Sequence, residues 1–174
     1  PYVPFEQPVG VYRKTFEIDS LDKVYIISFL GVISCLDLYI NGQFVGYSEG
    51  AHNTAEFDLT KYLVAGENEL VAVVHKWSNA TFLECQDMFR ENGIFRDVLL
   101  TENEESYIFD ICYTPKKIGE NKYSLTVMTE IENADDNDLT LEIFDGDELK
   151  ATASLKTSDE AIIGENENTY YAFF

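Results

Sequence analysis

Leu36-Asp-Leu-Tyr-Ile-Asn-Gly-Gln-Phe-Val-Gly-Tyr47 decides the fold class of this chain. Leu36, Leu38 and Ile40 alternate with Asp37 and Tyr39, the period of a strand with one buried face. Asn41-Gly42 comes next, and a second β-rich run opens at Phe44. Asn-Gly between two strand patterns is a strong hairpin signal, because a type I′ turn needs positive φ at both central residues. A two-residue turn pairs Ile40 with Gln43, Tyr39 with Phe44 and Leu38 with Val45. That register puts Leu38 and Val45 on one face and the two aromatics on the other.

Strand patterns continue on both sides of the hairpin. Val11 to Ile18 is rich in β-formers, and Val24 to Leu30 is an apolar run that could be buried on both faces. Leu70 to Trp77 reads as a central strand, and Ile94 to Leu100 as a further one. Asp58 to Leu63 fits one short helical turn, with Asp58 as its cap and Gly66 beyond its end. Beyond residue 106 the runs 107–113, 123–131, 139–144, 149–155 and 169–174 suggest a second antiparallel sandwich, with Asp145-Gly146 as a hairpin turn.

Composition agrees with an all-β chain. Aromatics make up 14% of the 174 residues, and aromatics favour strands. The charge shifts near 101–106: residues 1–101 hold 7 basic and 14 acidic side chains, residues 102–174 hold 5 and 18, for a net of -20. Such acidity argues against a phosphate-backbone partner, which needs clustered Lys and Arg, so no nucleic acid is expected. No apolar run is long enough to span a bilayer, and no membrane partner is expected. Cys35, Cys85 and Cys112 are odd in number and fit no metal or redox spacing, so free thiols in a reducing, cytoplasmic compartment are expected. The chain opens on Pro1 and stops within an apolar strand, from which we expect a piece of a longer protein with a truncated second domain. Such a cut leaves an open edge at 169–174, a template for pairing with another chain.

The densest polar loop is Trp77-Ser-Asn-Ala-Thr-Phe-Leu-Glu-Cys-Gln-Asp-Met-Phe-Arg-Glu-Asn-Gly93, between two strands. Loops held by a rigid scaffold are where binding groups sit. Asp87 is its first candidate for a ligand contact, although an Asp in a loop more often builds a turn. Arg90, Arg96 and Asp97 read best as a hydrogen-bonded Arg–Asp network that stiffens the loop, since a bidentate Arg–carboxylate pair is a good clamp. Gly93 supplies a backbone conformation that other residues resist. Trp77 is expected mostly in the core, Phe89 with even odds of stacking on a ligand, and His75 as a packed histidine. His52 has no assigned role. Glu84 and Asp87 lie three apart, but in a loop that spacing sets no distance.

An ordered set of stretches carries a family resemblance: Pro8-Val-Gly-Val-Tyr12, Phe29-Leu-Gly-Val-Ile-Ser34, Tyr39-Ile-Asn-Gly42, Val45-Gly-Tyr-Ser48, Glu56-Phe-Asp-Leu59, Gly66-Glu-Asn68, Trp77-Ser78, Gln86-Asp-Met88 and Gly93-Ile-Phe-Arg-Asp-Val98. From Pro8 to Leu100 the chain resembles the N-terminal sugar-binding jelly-roll of glycoside hydrolase family 2, in particular its bacterial β-galactosidases. The resemblance implies a galactose-binding-like jelly-roll over 1–101, its N-terminal part missing, then a partial immunoglobulin-like β-sandwich over 102–174. It implies a retaining glycosidase acting on terminal β-galactosides. Its two catalytic glutamates belong to a barrel domain absent from this chain, so no residue here is expected to be catalytic and the piece alone should be inactive. Asp87 matches the aspartate that contacts galactose and helps hold a sodium ion; Arg90, Gly93, Arg96 and Asp97 support its loop. Sodium, with magnesium as a second candidate, is expected only in the full-length enzyme. Cys85 departs from the family, which often has Asp there. The expected partners are a β-galactoside, the barrel of the same protein and a second copy in a homo-oligomer. The rival readings are a stand-alone carbohydrate-binding module, a structural sandwich for subunit contacts, and a β-glucuronidase or β-mannosidase of the same family.

Overall fold

The computed structural model describes residues 6–84, 91–134, 138–156, 162–163 and 169–173. Asp87 and Arg90, with Cys85 and Phe89, lie outside them. The described residues are almost wholly β, and every strand pairing among them is antiparallel. The chain divides into two compact units, residues 1–103 and 104–174. The boundary falls where the charge density shifts.

The first unit's described residues hold nine strands: β1 (Val9–Ile18), β2 (Val24–Phe29), β3 (Val32–Ile33), β4 (Cys35–Ile40), β5 (Gln43–Glu49), β6 (Ala55–Asp58), β7 (Gly66–His75), β8 (Gly93–Ile94) and β9 (Val98–Asn103). One sheet has the order β1-β7-β4-β5 and the other β6-β2-β9, with β3 and β8 as a small separate pair. One core joins the two sheets. Leu36, Leu38 and Ile40 come from β4, Ala72 and Val74 from β7, and Tyr25, Ile27 and Phe29 from β2. Phe29 meets Phe57 of β6 edge to face, with ring centres 6.3 Å apart. The three inward residues of β4 are fully buried while Asp37 and Tyr39 are only half-buried, so the alternation read from the sequence is the real one. β2 is less symmetric than its apolar run suggested: Tyr25, Ile27 and Phe29 enter the core, while Val24 and Ile26 are half-buried.

The hairpin turns at Asn41 (φ 51°) and Gly42 (φ 76°), and Ile40 pairs with Gln43 and Tyr39 with Phe44. The Tyr39 and Phe44 rings then stack edge to face at 5.4 Å. Beyond them the register departs from the simple expectation. Leu38 pairs with Gly46 rather than Val45, because β5 bulges by one residue between the two pairs. A bulge adds twist and re-aims the side chains beyond it. Here it sets Gly46 against the Phe57 ring, where an added Cβ would lie 2.8 Å from a ring carbon.

Other expectations also shift in detail. The helical turn is a 3-10 turn, Thr60–Tyr62, and the Asp58 carboxylate accepts the Thr60 N–H at 2.8 Å. The strand expected over 94–100 is two strands, β8 and β9, separated at 95–97. There the chain runs beside the break between β2 and β3: Phe95 N–H donates to Gly31 O at 3.2 Å and Leu30 N–H to Asp97 O at 3.1 Å.

The second unit contains β10 (Tyr107–Gly119), β11 (Lys122–Glu132), β12 (Asp138–Asp145), β13 (Glu148–Lys156), β14 (Ile162–Ile163) and β15 (Thr169–Phe173). They form a sheet of order β10-β11-β15-β14 and a β12-β13 hairpin closed at Gly146 (φ 59°). Its described core is small, with Ile131 and Ala134 packed by Leu139. β15 is flanked on both sides, by β11 and by β14. On the side away from β11, β14 covers β15 at Tyr170 and Tyr171.

Candidate functional site

The polar loop leaves β7 at His75 and returns at β8. Its first half is ordered by bonds to the opening of β1: Lys76 N–H donates to Pro8 O at 3.1 Å, and the Gln7 amide donates to Trp77 O at 2.8 Å. One helical turn comes next, α1 (Ala80–Leu83), where the sequence suggested only loop. Ser78 starts it, donating its N–H to Thr81 Oγ1 at 3.0 Å. The return half arrives at Gly93, whose φ is +99°. A Cβ there would also lie 2.6 Å from the Tyr12 hydroxyl, the far end of an exposed side chain that can shift, so it is the backbone conformation that demands glycine.

Two concavities lie along this end of the sheet. One, of about 460 Å³, is lined by Gln7, Cys35, Tyr47, His75, Trp77, Ser78, Asn79 and Phe82. The other, of about 280 Å³, is lined by residues 8–10 with Tyr12, Val74, His75, Lys76, Asn92 and Gly93. His75 borders both. The described chain before residue 85 thus ends near the rim of the first, and the chain after residue 90 resumes at the rim of the second.

The wider concavity is aromatic and amide-rich. Trp77, expected mostly in the core, is half-buried and lines it, with the Lys76 ammonium 5.3 Å from its ring centre. The outer face of the sheet forms the floor. His75 Nε2 lies 2.9 Å from Asp37 Oδ2, an ion pair when the imidazole is protonated. This is the packed histidine the sequence suggested. Cys35 is buried and free, and it pairs directly with His75 across the two strands. Tyr47 donates to Glu49 Oε2 at 2.7 Å. Desolvation of its hydroxyl, then the hydrogen bonds to Glu49 and Cys35, push the phenol well above its ordinary range. The Tyr47 hydroxyl and then the Ala80 N–H hold the Glu49 carboxyl below its ordinary range.

Of the residues singled out from the sequence, Asp87 and Arg90 lie outside the described residues. Gly93 takes the strained backbone position expected of it. Of the expected Arg90–Arg96–Asp97 network only Arg96 and Asp97 are among the described residues, and each has a partner near Leu30. The Arg96 guanidinium donates to Leu30 O at 3.3 Å and lies 5.2 Å from the Phe95 ring centre. Asp97 contributes its backbone carbonyl to Leu30. The reason is register: the two neighbours sit where the chain crosses the break between β2 and β3, and Arg96 serves the open carbonyl there. His52 is exposed. Among the described residues no three His, Cys, Asp or Glu side chains converge to hold a metal ion, and Asp87, the expected sodium contact, lies outside them.

Sequence reasoning missed Tyr47, Glu49 and Glu84 as anchors of this loop. Both Glu84 carboxylate oxygens accept the Ala51 N–H, at 3.1 and 2.9 Å. Glu49 accepts the Ala80 N–H. The backbone partners of Glu84 and Glu49 are more than thirty residues away in the chain, so no local spacing announces them, while Tyr47 acts through Glu49 two residues on.

Residues 1–104 match the family model described as glycosyl hydrolases family 2, sugar binding domain. A β-galactosidase of Actinobacillus pleuropneumoniae is 52% identical over 110 residues, covering 63% of this chain and 11% of that protein. A β-galactosidase of Priestia megaterium is 42% identical over 153 residues, covering 83% and 15%. The chain therefore spans well under a fifth of the length of these relatives. Among solved structures, a Bacteroides uniformis β-glucuronidase superposes with a TM-score of 0.79 at 21% identity, covering 97% of this chain and 21% of that one. A putative β-galactosidase from Bacteroides fragilis gives 0.76 at 23%, covering 98% and 27%. At these identities the structural likeness speaks for the fold alone. The sequence match over the whole first unit speaks for descent, and the chain belongs to glycosyl hydrolase family 2 through its sugar-binding domain.

Proposed function

We propose that this chain is the amino-terminal part of a longer retaining β-galactosidase and forms one wall of its sugar pocket. The observation that carries the reading is the 52% identity to a β-galactosidase across 110 residues, a stretch that takes in the loop of Asp87. In this reading Asp87 accepts hydrogen bonds from galactose hydroxyls, a task suited to a carboxylate. Trp77 and the amides of Gln7 and Asn79 border the same loop. Retention needs two carboxyl groups about 5–5.5 Å apart across the scissile bond. Those belong, in this reading, to a barrel domain elsewhere in the longer protein. A sodium ion, or magnesium in second place, would draw its remaining ligands from that barrel. The free Cys35 and Cys112 fit a cytoplasmic setting.

The β-glucuronidase alternative rests on fold likeness alone, and a net charge of -20 suits an anionic substrate poorly. Turnover of nitrophenyl β-galactoside, β-glucuronide and β-mannoside by the longer protein separates the readings. We expect kcat/KM for the galactoside to exceed the others by about 100-fold or more, near 3 kcal/mol of discrimination. A preference for the glucuronide or mannoside overturns the assignment. The isolated chain should cleave none of the three.

A further inference from the structure

The two sheets of the first unit differ in width, and the difference leaves part of the core uncovered. Gly46 of β5 lies against the Phe57 ring of β6, so those two strands close one side of the sandwich. Counted across from that side, β4 faces β2 and β7 faces β9, and the fourth strand, β1, faces no strand among the described residues. The burial of paired residues marks the gap. Residues paired across an antiparallel ladder point to the same face. Tyr12 of β1 pairs with Ala72, and Val98 and Leu100 of β9 pair with Phe29 and Ile27. Those three partners are core residues, at most 3% exposed, while Tyr12, Val98 and Leu100 are 42%, 41% and 43% exposed. They lie on the core face and find no cover there. Lys14, at the next inward position of β1, is exposed as well.

The edge beside this gap is also open. β9 is the last strand of its sheet and, among the described residues, pairs only with β2. An open edge next to an uncovered apolar face fits a further strand: the edge takes its ladder, and the face takes its alternate side chains. A strand added beside β1 would only widen the wider sheet and cover none of this face. Charge and length decide where the strand comes from. A second copy would bring together two chains of net charge -20, which repel. This chain covers 11% and 15% of the two β-galactosidases compared above, so most of a longer protein of that kind lies outside it.

We propose that one further strand of the longer protein, from outside residues 1–174, completes the first unit by lying along the free edge of β9 and over Tyr12, Val98 and Leu100. It turns apolar residues toward that face at alternate positions and a polar or acidic one toward Lys14. The inference rests on this chain being part of a longer protein, and it is independent of which sugar that protein cleaves.

Residue-resolved hydrogen exchange of the longer protein and of the isolated chain tests it. The amides of residues 98–103 divide into those bonded to β2 and those on the free edge. The first set is the control for folding and should be protected in both proteins. The free-edge set should exchange quickly in the isolated chain and about 100-fold or more slowly in the longer protein. Leu100→Asp in the longer protein should restore most of the fast exchange, because it sets a charge into the covered face. The comparison of the two unaltered proteins stands by itself where Leu100→Asp fails to fold. Equal exchange of the free-edge amides in both proteins overturns the proposal, as does protection left intact by a folded Leu100→Asp. Protection already present in the isolated chain overturns it too: growth with concentration makes the occupant a second copy, and no growth makes it a segment of residues 1–174.

Discussion

At the scale of single residues, Asn68 shows how much of the sandwich depends on one side chain that its sequence position does not advertise. It is 1% exposed, and its amide is saturated. Oδ1 accepts from Asn41 Nδ2 at 2.8 Å and Val64 N–H at 2.9 Å, while Nδ2 donates to Val64 O at 2.7 Å and Gly66 O at 2.9 Å. Asn41 extends the network to Tyr62 O and Glu69 N–H. The hairpin turn is thereby bolted to the loop before β7. Asn68→Ala strands several buried groups at once, and we expect it to destabilise the first unit by roughly 1–3 kcal/mol, read as a lower denaturant midpoint at unchanged slope. Asn41-Gly42 was legible because its conformation is a local property. Asn68 was not, because its value lies in partners brought near by folding. Asp87 sits between the two cases: its residue type alone offers only a turn former, and the resemblance gives it a role.

At the scale of elements, alternation identified β4 because one of its faces lies in the core, and the apolar run of β7 announced a central strand, which pairs with β1 and β4. The bulge in β5 and the break between β8 and β9 were not legible. Both arise where two strands meet a third, at the Phe57 ring and at the Leu30–Gly31 corner. The joint between β5 and α1 has a pH signature. Glu49 titrates lower in the fold than its ordinary 4.5, through Tyr47 and then Ala80. A depressed carboxyl contributes stability above its unfolded pKa and loses it as pH falls through the folded value. Tyr47 has the opposite sign: its raised phenol contributes below the ordinary value of 10 and loses that contribution as pH climbs past it. Glu49→Gln should therefore lower the thermal midpoint at neutral pH and converge with the parent as the pH falls through the lowered pKa of the Glu49 carboxyl. An equal gap between the two proteins at all pH values would remove the carboxylate's charge from the account.

At the scale of the whole molecule, the two units have different characters. The first carries a single core shared by two sheets, with Leu36, Leu38, Ile40, Leu59 and Ala72 fully buried. The second is more acidic, and its described core is small: Ile131 and Ala134 cluster against Leu139, and Val127 is buried as well. Both units were legible from strand spacing and the change in charge, but the relation of Asp87 to a substrate was not, because in the proposed reading the pocket takes its other wall from a further domain. The account's central claim is that this chain supplies a wall rather than a complete site. Titrating galactose into the isotope-labelled isolated chain, monitored by amide shifts, tests that claim most directly. We predict no saturable shift at millimolar sugar, a binding free energy weaker than about -4 kcal/mol. Saturable binding at or below millimolar galactose, centred on Trp77 and the 85–90 segment, would contradict it and make the chain a self-sufficient carbohydrate-binding module.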